Sequence, residues 1–524
     1  MKPATIGRLP EDFTGHHLQA ENNKGPERNA LELHLPPSGS VMICMLLLSL
    51  LLLAGPAGAG QFHGTATSYG KEQCVALARF TPQSGARYRP ADAAQEQTLC
   101  GIAFTDKGIG MCPKTWSTSP GTMIYDIHNS KYAGRPEAFE AEFCPRQGIV
   151  VRGVNELASF KQSVNGQFNQ RTSATFSQAS PLYYHFSRYF GATVDVPVAV
   201  MRTMDAREHL QRIAKRGRQM ALDGRILAGW IVVNSAETTP SGYLPEDEFY
   251  YGDPKGALLF GTMLKQAGTR YGAEFNGNIV GKGYAGQYMY LQRTPAFLAL
   301  ASTGDLPDAI DLGVTLSKGD PVVGNALGPE VSMEQMIFWM KEMSEMVILD
   351  YMFSQQDRPG NIDYLWIWYY VNEDGVLKSI PTDSKVGRPD IGSIQVPEEI
   401  KSGVRYYLIQ KTQLNDNDAG GRRYTNFTRQ FGLLEKLRHL NAVTYRQLIR
   451  LARDFQVKGP LYDYLRVTFN LGDFYTSIIA QNTIQAAGIL KATCRSAAMR
   501  FDLDPEAFLV TQKTSEVRVD CENP

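Results

Sequence analysis

The chain has 524 residues, enough for two or three domains at roughly 100–200 residues each. Apolar residues make up 43% and charged residues 20%, with 48 Gly and 28 Pro, values that exclude disordered and fibrous classes. Lys plus Arg and Asp plus Glu both number 53, so no global field draws the chain to nucleic acid or to an anionic membrane.

From the N-terminus, the first informative stretch is Val41 to Gly55, VMICMLLLSLLLLAG. It is shorter than the ~20 apolar residues of a membrane span and matches the apolar region of a secretory signal. Pro56 and then Ala57-Gly58-Ala59, an A-x-A cleavage pattern, follow it. The polar leader before it mixes Lys2, Arg8, Lys24 and Arg28 with acids, unlike a short basic start, so translation is expected to begin at Met42 or Met45. The alternative is an uncleaved signal anchor. Both readings place the bulk of the chain outside the cytoplasm, secreted or periplasmic; after cleavage no stable membrane span is expected. Of 7 Cys, Cys44 lies in this segment. Cys74, Cys100, Cys112, Cys144, Cys494 and Cys521 remain, an even set suited to an oxidising compartment. Cys494 with Cys521 would close the C-terminus, and the other pairings stay open. The absence of C-x-x-C argues against a zinc ribbon or a thioredoxin-type site.

Residues 60–145, rich in Gly, Ser, Thr and Cys, read as a loop-heavy region pinned by disulfides. Short β-like runs follow at Gly148–Arg152 and Leu157–Lys161. A helix is predicted over about Ser180 to Phe190, where Leu182, Phe186 and Tyr189 recur at helical spacing. Val194 to Val200 reads as a strand suited to a sheet edge, because Pro197 sits near its middle. Residues 240–330 are turn-rich. Met333 to Phe353 carries Met336, Met340, Met343 and Val347 three or four apart, the pattern of a buried helix with Met as core filler. Further helices are predicted near Phe427–Leu451 and Phe474–Arg500. The order, β-rich first and helix-rich last, indicates an α+β fold.

The chemistry-bearing segment follows the Met-rich helix. Ser354-Gln355-Gln356-Asp357-Arg358-Pro359-Gly360-Asn361 precedes the apolar run Tyr364 to Val371, a turn at Asn372-Glu373-Asp374-Gly375, and a return through Val376–Ile380 to Asp383. A hairpin running out roughly 26 Å and back would bring Asp383 near Asp357 and Asn361. Two acids and an amide at one strand end can hold Mg²⁺ and orient a hydroxyl, the parts that phosphoryl transfer needs.

Asp-Arg-x-Gly-Asn after a helix resembles the catalytic loop of an atypical kinase-fold family, the phosphoinositide lipid kinases and the secretory-pathway kinases of the Golgi casein kinase type. Tyr183–Phe190, followed by Val196-Pro197 and Arg202, is similar to their helix-then-"VP…R" pattern. The resemblance covers about residues 145–390 and implies a two-lobed kinase-like fold with a disulfide-pinned N-terminal extension. Its divisions are 1–59 leader and signal, 60–145 Cys-rich region, 146–330 N-lobe with insertions, and 331–524 helical C-lobe. It implies ATP and Mg²⁺ or Mn²⁺ as cofactors and a protein, or a lipid or sugar, as acceptor. Lys161 and Gln178 would contact the nucleotide, Asp357 would be catalytic, and Asn361 and Asp383 would hold metal.

The chain departs from this pattern in three places. Asp357 and Asn361 are four positions apart, against about five in ordinary kinases, and Pro359 stands where a His often follows Asp-Arg. The helix that should supply an acid to the lysine begins with Ser177, Gln178 and Ser180, leaving Asp205 or Glu208 as substitutes from elsewhere. A chain lacking that acid would be an inactive pseudokinase with a binding or regulatory role. A third reading is a secreted hydrolase with Asp357 and Asp383 as acid and base. Asp357–Asn361 also reads as a plain turn, and Gly281-Lys282-Gly283-Tyr284-Ala285-Gly286 as a flexible one. His128, His185, His209 and His439 read as structural, and Asn426-Phe427-Thr428 matches a glycosylation sequon.

Overall fold

The apolar run after the Asp357 loop becomes the longest strand of one antiparallel sheet, and short strands from the first half of the chain build another. The first sheet contains β1 (Gly64–Tyr69), β2 (Glu72–Leu77), β3 (Ile109–Pro113), β4 (Thr122–Asp126), β5 (Asn155–Gln162), β6 (Ala199–Asp205) and β7 (Leu258–Leu264). Their spatial order is β1-β2-β6-β7-β5-β4-β3. The second sheet contains β8 (Thr269–Arg270), β9 (Ile362–Val371), β10 (Leu377–Pro381) and β11 (Tyr406–Leu414). Strand β11 pairs along most of one edge of β9, while β8 and β10 share the other edge. The computed structural model describes residues 62–146, 148–163, 175–222, 224–239, 257–319, 321–327, 331–422 and 424–524, all within the unit Gly58–Pro524. The leader, signal segment and cleavage pattern lie outside the described residues.

The mixed α+β class holds, but residues 60–145 are not a loop-heavy extension. They supply β1–β4, four of the seven strands in the sheet that carries Lys161. These strands are only five or six residues long, so their own pattern is weak. Their pairing is set by long-range partners such as Cys74 opposite Arg202. Cys74 and Cys100, Cys112 and Cys144, and Cys494 and Cys521 form three disulfides. The second couples β3 to the segment after the helix Pro136–Glu142, and Glu140 of that helix accepts from the Met111 N–H at 3.2 Å. This sheet edge is thereby covered, as an exposed edge would be open to unwanted pairing.

The expected strand at Val194–Val200 is displaced to Ala199–Asp205 and lies inside the sheet between β2 and β7. Proline explains the shift, because Pro197 cannot donate to a ladder and β6 starts two residues beyond it. The expected run at Gly148–Arg152 forms no strand.

Two helices bring the site together. Ala179–Phe190 is buried on every side, not on one face, because its polar members find partners inside. Arg188 pairs with Asp92 at 2.9 Å, and the Tyr184 hydroxyl donates to Glu96 at 2.7 Å. Met333–Phe353 is capped by the Ser332 hydroxyl and stops at Ser354, which adopts a left-handed conformation at φ 52°. Its buried acids also serve the backbone: Glu342 accepts from the Thr412 N–H at 3.0 Å and Glu345 from that of Val194 at 2.8 Å. In the C-terminal region the expected single helix over 427–451 is split. Gly432 turns the chain at φ 59°, and Asn441 caps a new helix, Ala442–Gln456. The last long helix is Asp473–Arg495. The turn-rich reading of 240–330 also gives way, within its described part, to helices including Tyr284–Leu291 and Leu306–Gly319.

Candidate functional site

The loop Ser354–Asn361 is held by one buried arginine. Arg358 is fully buried and grips Asp350, one turn back in the preceding helix, through Nε at 2.9 Å and Nη2 at 2.9 Å. Its remaining donors reach the carbonyls of Asn361 at 3.3 Å and Asn415 at 3.0 Å and the Asn417 side chain at 2.7 Å. The Tyr183 hydroxyl donates to the same Asp350 at 2.6 Å. One guanidinium thus ties the Asp357 loop, the helix Ala179–Phe190 and the segment after β11 into a single unit. Gly360 makes the sharp turn at φ 90°, and the Asn361 amide donates to the Asp357 carbonyl at 2.5 Å.

The acid that meets this loop comes from the third strand of the sheet, not the second. Strand β10 pairs only from Leu377 to Pro381, and Pro381 faces Ile367, five residues short of Ile362, or roughly 16 Å along the strand. Strand β11 continues until Leu414 faces Ile362, which delivers Asn415-Asp416-Asn417-Asp418 beside Asp357 and Asn361. Asp383 is exposed and lines neither cavity around Asp357. Its expected metal role and its expected pairing with Asp357 therefore have no geometric basis.

Lys161 reaches into the site from β5. Its ammonium lies 2.6 Å from Asp416 and 3.7 Å from Asp418. Burial alone would lower its pKa, but Asp416 and Asp418 outweigh burial and hold it above the usual amine range. Burial would raise Asp416, yet Lys161 foremost, then Lys114, hold its carboxyl far below the usual range. Asp357 has no such partner. Burial, followed by the charges of Asp416 and Asp418, raises it to about 7. Two neighbouring carboxyls are thus pushed in opposite directions, one by a lysine and one by burial and like charge.

The hairpin between β3 and β4 closes the site from above with hydroxyls. Ser117, Thr118 and Ser119 line an inner cavity of about 90 Å³ together with Asp357, Asp416 and Asp418. The cavity opens into a cleft of about 470 Å³ that shares Thr118, Tyr284, Asp357 and Asn361 and adds Arg225, Arg270 and Lys282. Lys114, at the base of the hairpin, is pulled below the usual amine range by burial, with Asp416 opposing and Lys161 adding to the effect.

Gln178 is buried with Oε1 lacking a hydrogen-bond partner, and the adjacent Ser177 hydroxyl donates to the Lys161 carbonyl at 3.2 Å. Neither suggested substitute acid serves the lysine: Asp205 caps the helix Ala206–His209 and Glu208 lies exposed 4.0 Å from Arg212. Arg202 is buried between Tyr69 and Phe104 and pairs with Glu72 at 3.3 Å, a core role. The sequon residue Asn426 is buried, and its amide donates to the Tyr351 carbonyl at 2.7 Å, which leaves no free acceptor for a glycan. Sequence reasoning missed Asp416, Asp418, Arg270 and the hydroxyl hairpin. The available signal was the polar cluster Asn415–Asp418 after a strand-length run; the hairpin's only signal was Ser/Thr density before the lysine strand.

Asn361, Asp416 and Asp418 supply hard oxygens of the kind Mg²⁺ takes, and Asp418 Oδ2 is buried without a hydrogen-bond partner. Among the described residues no group of three or more His, Cys, Asp or Glu is preassembled around a metal position. No family model matches the chain, and no curated protein matches it.

Proposed function

We propose that this chain is an exported phosphotransferase on an atypical two-lobed kinase-like fold, moving the γ-phosphoryl group of ATP to a hydroxyl, foremost that of a protein. The observation that carries this reading is Asp416, held by the buried Lys161 at 2.6 Å, on a cavity that Asp357 and Asn361 also line. The order hydroxyl hairpin, lysine strand, helix, Asp–Asn loop and strand-borne Asp supplies each part that phosphoryl transfer needs. The Ser117–Ser119 hairpin faces the phosphates, and Lys161, buried behind Asp416, positions that carboxylate. Asn361, Asp416 and Asp418 would hold Mg²⁺ or Mn²⁺. The bound ion would neutralise charge on the phosphate oxygens. Asp357 takes the acceptor hydroxyl's proton as the new P–O bond forms and the bond to the leaving diphosphate breaks. The three disulfides are consistent with action outside the cytoplasm.

A second reading has one specific support. Gln178 stands where a charged partner for the lysine would be expected, which favours nucleotide binding without transfer. A thermal-shift titration with ATP, with and without Mg²⁺ or Mn²⁺, tests both readings. A ligand that binds only the folded state raises the melting temperature with concentration. The expected result is a metal-dependent rise that Asp416→Asn abolishes and Asp383→Asn leaves intact. A rise without transfer to any acceptor would favour the pseudokinase. A folded protein with no rise for any nucleotide would end both.

A further inference from the structure

Arg270 occupies the position that the metal reading needs free. It sits on the two-residue strand β8, whose backbone is fixed against β9 opposite Asp363 and by the Gly268 N–H donating to Gln413 at 2.9 Å. Its guanidinium makes three contacts: Asp363 Oδ1 at 2.8 Å, Asn361 Oδ1 at 2.6 Å and Asp416 Oδ2 at 3.4 Å. The last two oxygens belong to the side chains assigned to the ion. The other Asp416 oxygen is taken by Lys161. Both carboxylate oxygens of Asp416 are therefore matched by protein cations, and a divalent ion cannot share them without direct repulsion.

The three contacts are unequal. Asp363 is buried and held from behind by the Asn415 amide, so it is a fixed anchor. The arginine side chain is 46% exposed and lines the open cleft, where it has room to turn. We propose that Arg270 is a latch on the metal position. It bridges Asn361 and Asp416 when no ion is present, and it pivots on Asp363 into the cleft when metal and nucleotide arrive. The latch neutralises an otherwise repulsive cluster of acids in the resting protein and sets a threshold for metal entry. This inference rests on the phosphotransferase reading.

Manganese binding to the purified whole protein, followed by the spin-resonance signal of free Mn²⁺ without nucleotide, tests the latch independently of activity. Arg270→Gln removes the competing cation and is expected to tighten Mn²⁺ binding roughly 3- to 10-fold, the scale of one partly exposed ionic contact and one charge-assisted hydrogen bond. Arg270→Lys keeps charge but lacks the fork, and is expected to fall between Gln and the natural residue. If the Gln variant fails to fold, the Lys variant alone decides by the same criterion. Unchanged or weaker Mn²⁺ binding in the variant, with the ATP–Mn²⁺ thermal shift of the natural protein intact, would overturn the latch and leave the phosphotransferase reading standing. Absence of Mn²⁺ and ATP binding in all forms would overturn that reading and the latch with it.

Discussion

In the proposed transfer reaction, Asp357 is the residue on which proton chemistry turns. Burial is the larger influence and Asp416 and Asp418 add to it, so the carboxyl keeps its proton up to about pH 7. A base must be ionised, so kcat/KM for phosphate transfer should rise as pH climbs through about 7 and level off above it. For stability the sign is opposite. This group's contribution is full below the pH where a carboxyl titrates in the unfolded chain, and it is lost as pH rises through about 7. Asp418→Asn removes one negative neighbour and should move the rising limb of the rate profile toward acid by roughly half a pH unit or more. A profile that does not move would show that Asp418 does not act on Asp357.

Among elements, the loop Ser354–Asn361 depends on its anchor more than on its own turn residues. Arg358 is sealed from water with Asp350, and four polar groups converge on it from the preceding helix, the loop and the segment after β11. Arg358→Met leaves Asp350 buried and uncompensated, which typically costs about 3–5 kcal/mol. Urea unfolding should show this loss; a change below about 1 kcal/mol would mean that the loop is held by other contacts. The three-strand path from β9 through β10 to β11 is the second element-scale fact. A hairpin signal at Asn372–Gly375 is real, since Gly375 turns at φ 74° and the Asn372 N–H donates to Val376 at 3.0 Å. Strand β10 simply ends early at Pro381, and the chain passes through a 3₁₀ segment, Arg388–Ser393, before β11 returns the acid to the site.

Across the whole molecule, disulfides fasten the periphery to the core. Cys494–Cys521 closes a separation of 27 residues and holds the C-terminal tail against the last long helix, and the Tyr445 hydroxyl of the helix Ala442–Gln456 donates to the Cys521 carbonyl at 2.8 Å. Replacing both cysteines with serine should lower stability by about 2–4 kcal/mol without touching the site. A calorimetric melt should therefore shift, while the ATP-dependent increment persists.

The sequence by itself determined the α+β class, the buried helix Met333–Phe353, the long strand with its Asn-Glu-Asp-Gly turn, and the pairing of Cys494 with Cys521 as a candidate. These are legible because their signals are local: helical spacing over six turns, an unbroken apolar run, a turn dipeptide, and two late cysteines with no other neighbour. It also marked Lys161, Asp357 and Asn361; Asp357 and Asn361 line one cleft, and Lys161 is buried beside it against Asp416. Only the tertiary structure decided that Asp416 and not Asp383 meets them, because strand register depends on where pairing stops, and Pro381 stops it early. The same holds for the strands β1–β4, whose short polar sequences become a sheet only against β5–β7. It holds also for Arg270, an exposed arginine in a two-residue strand, which acquires meaning from three oxygens that lie between 91 and 146 residues away in the chain.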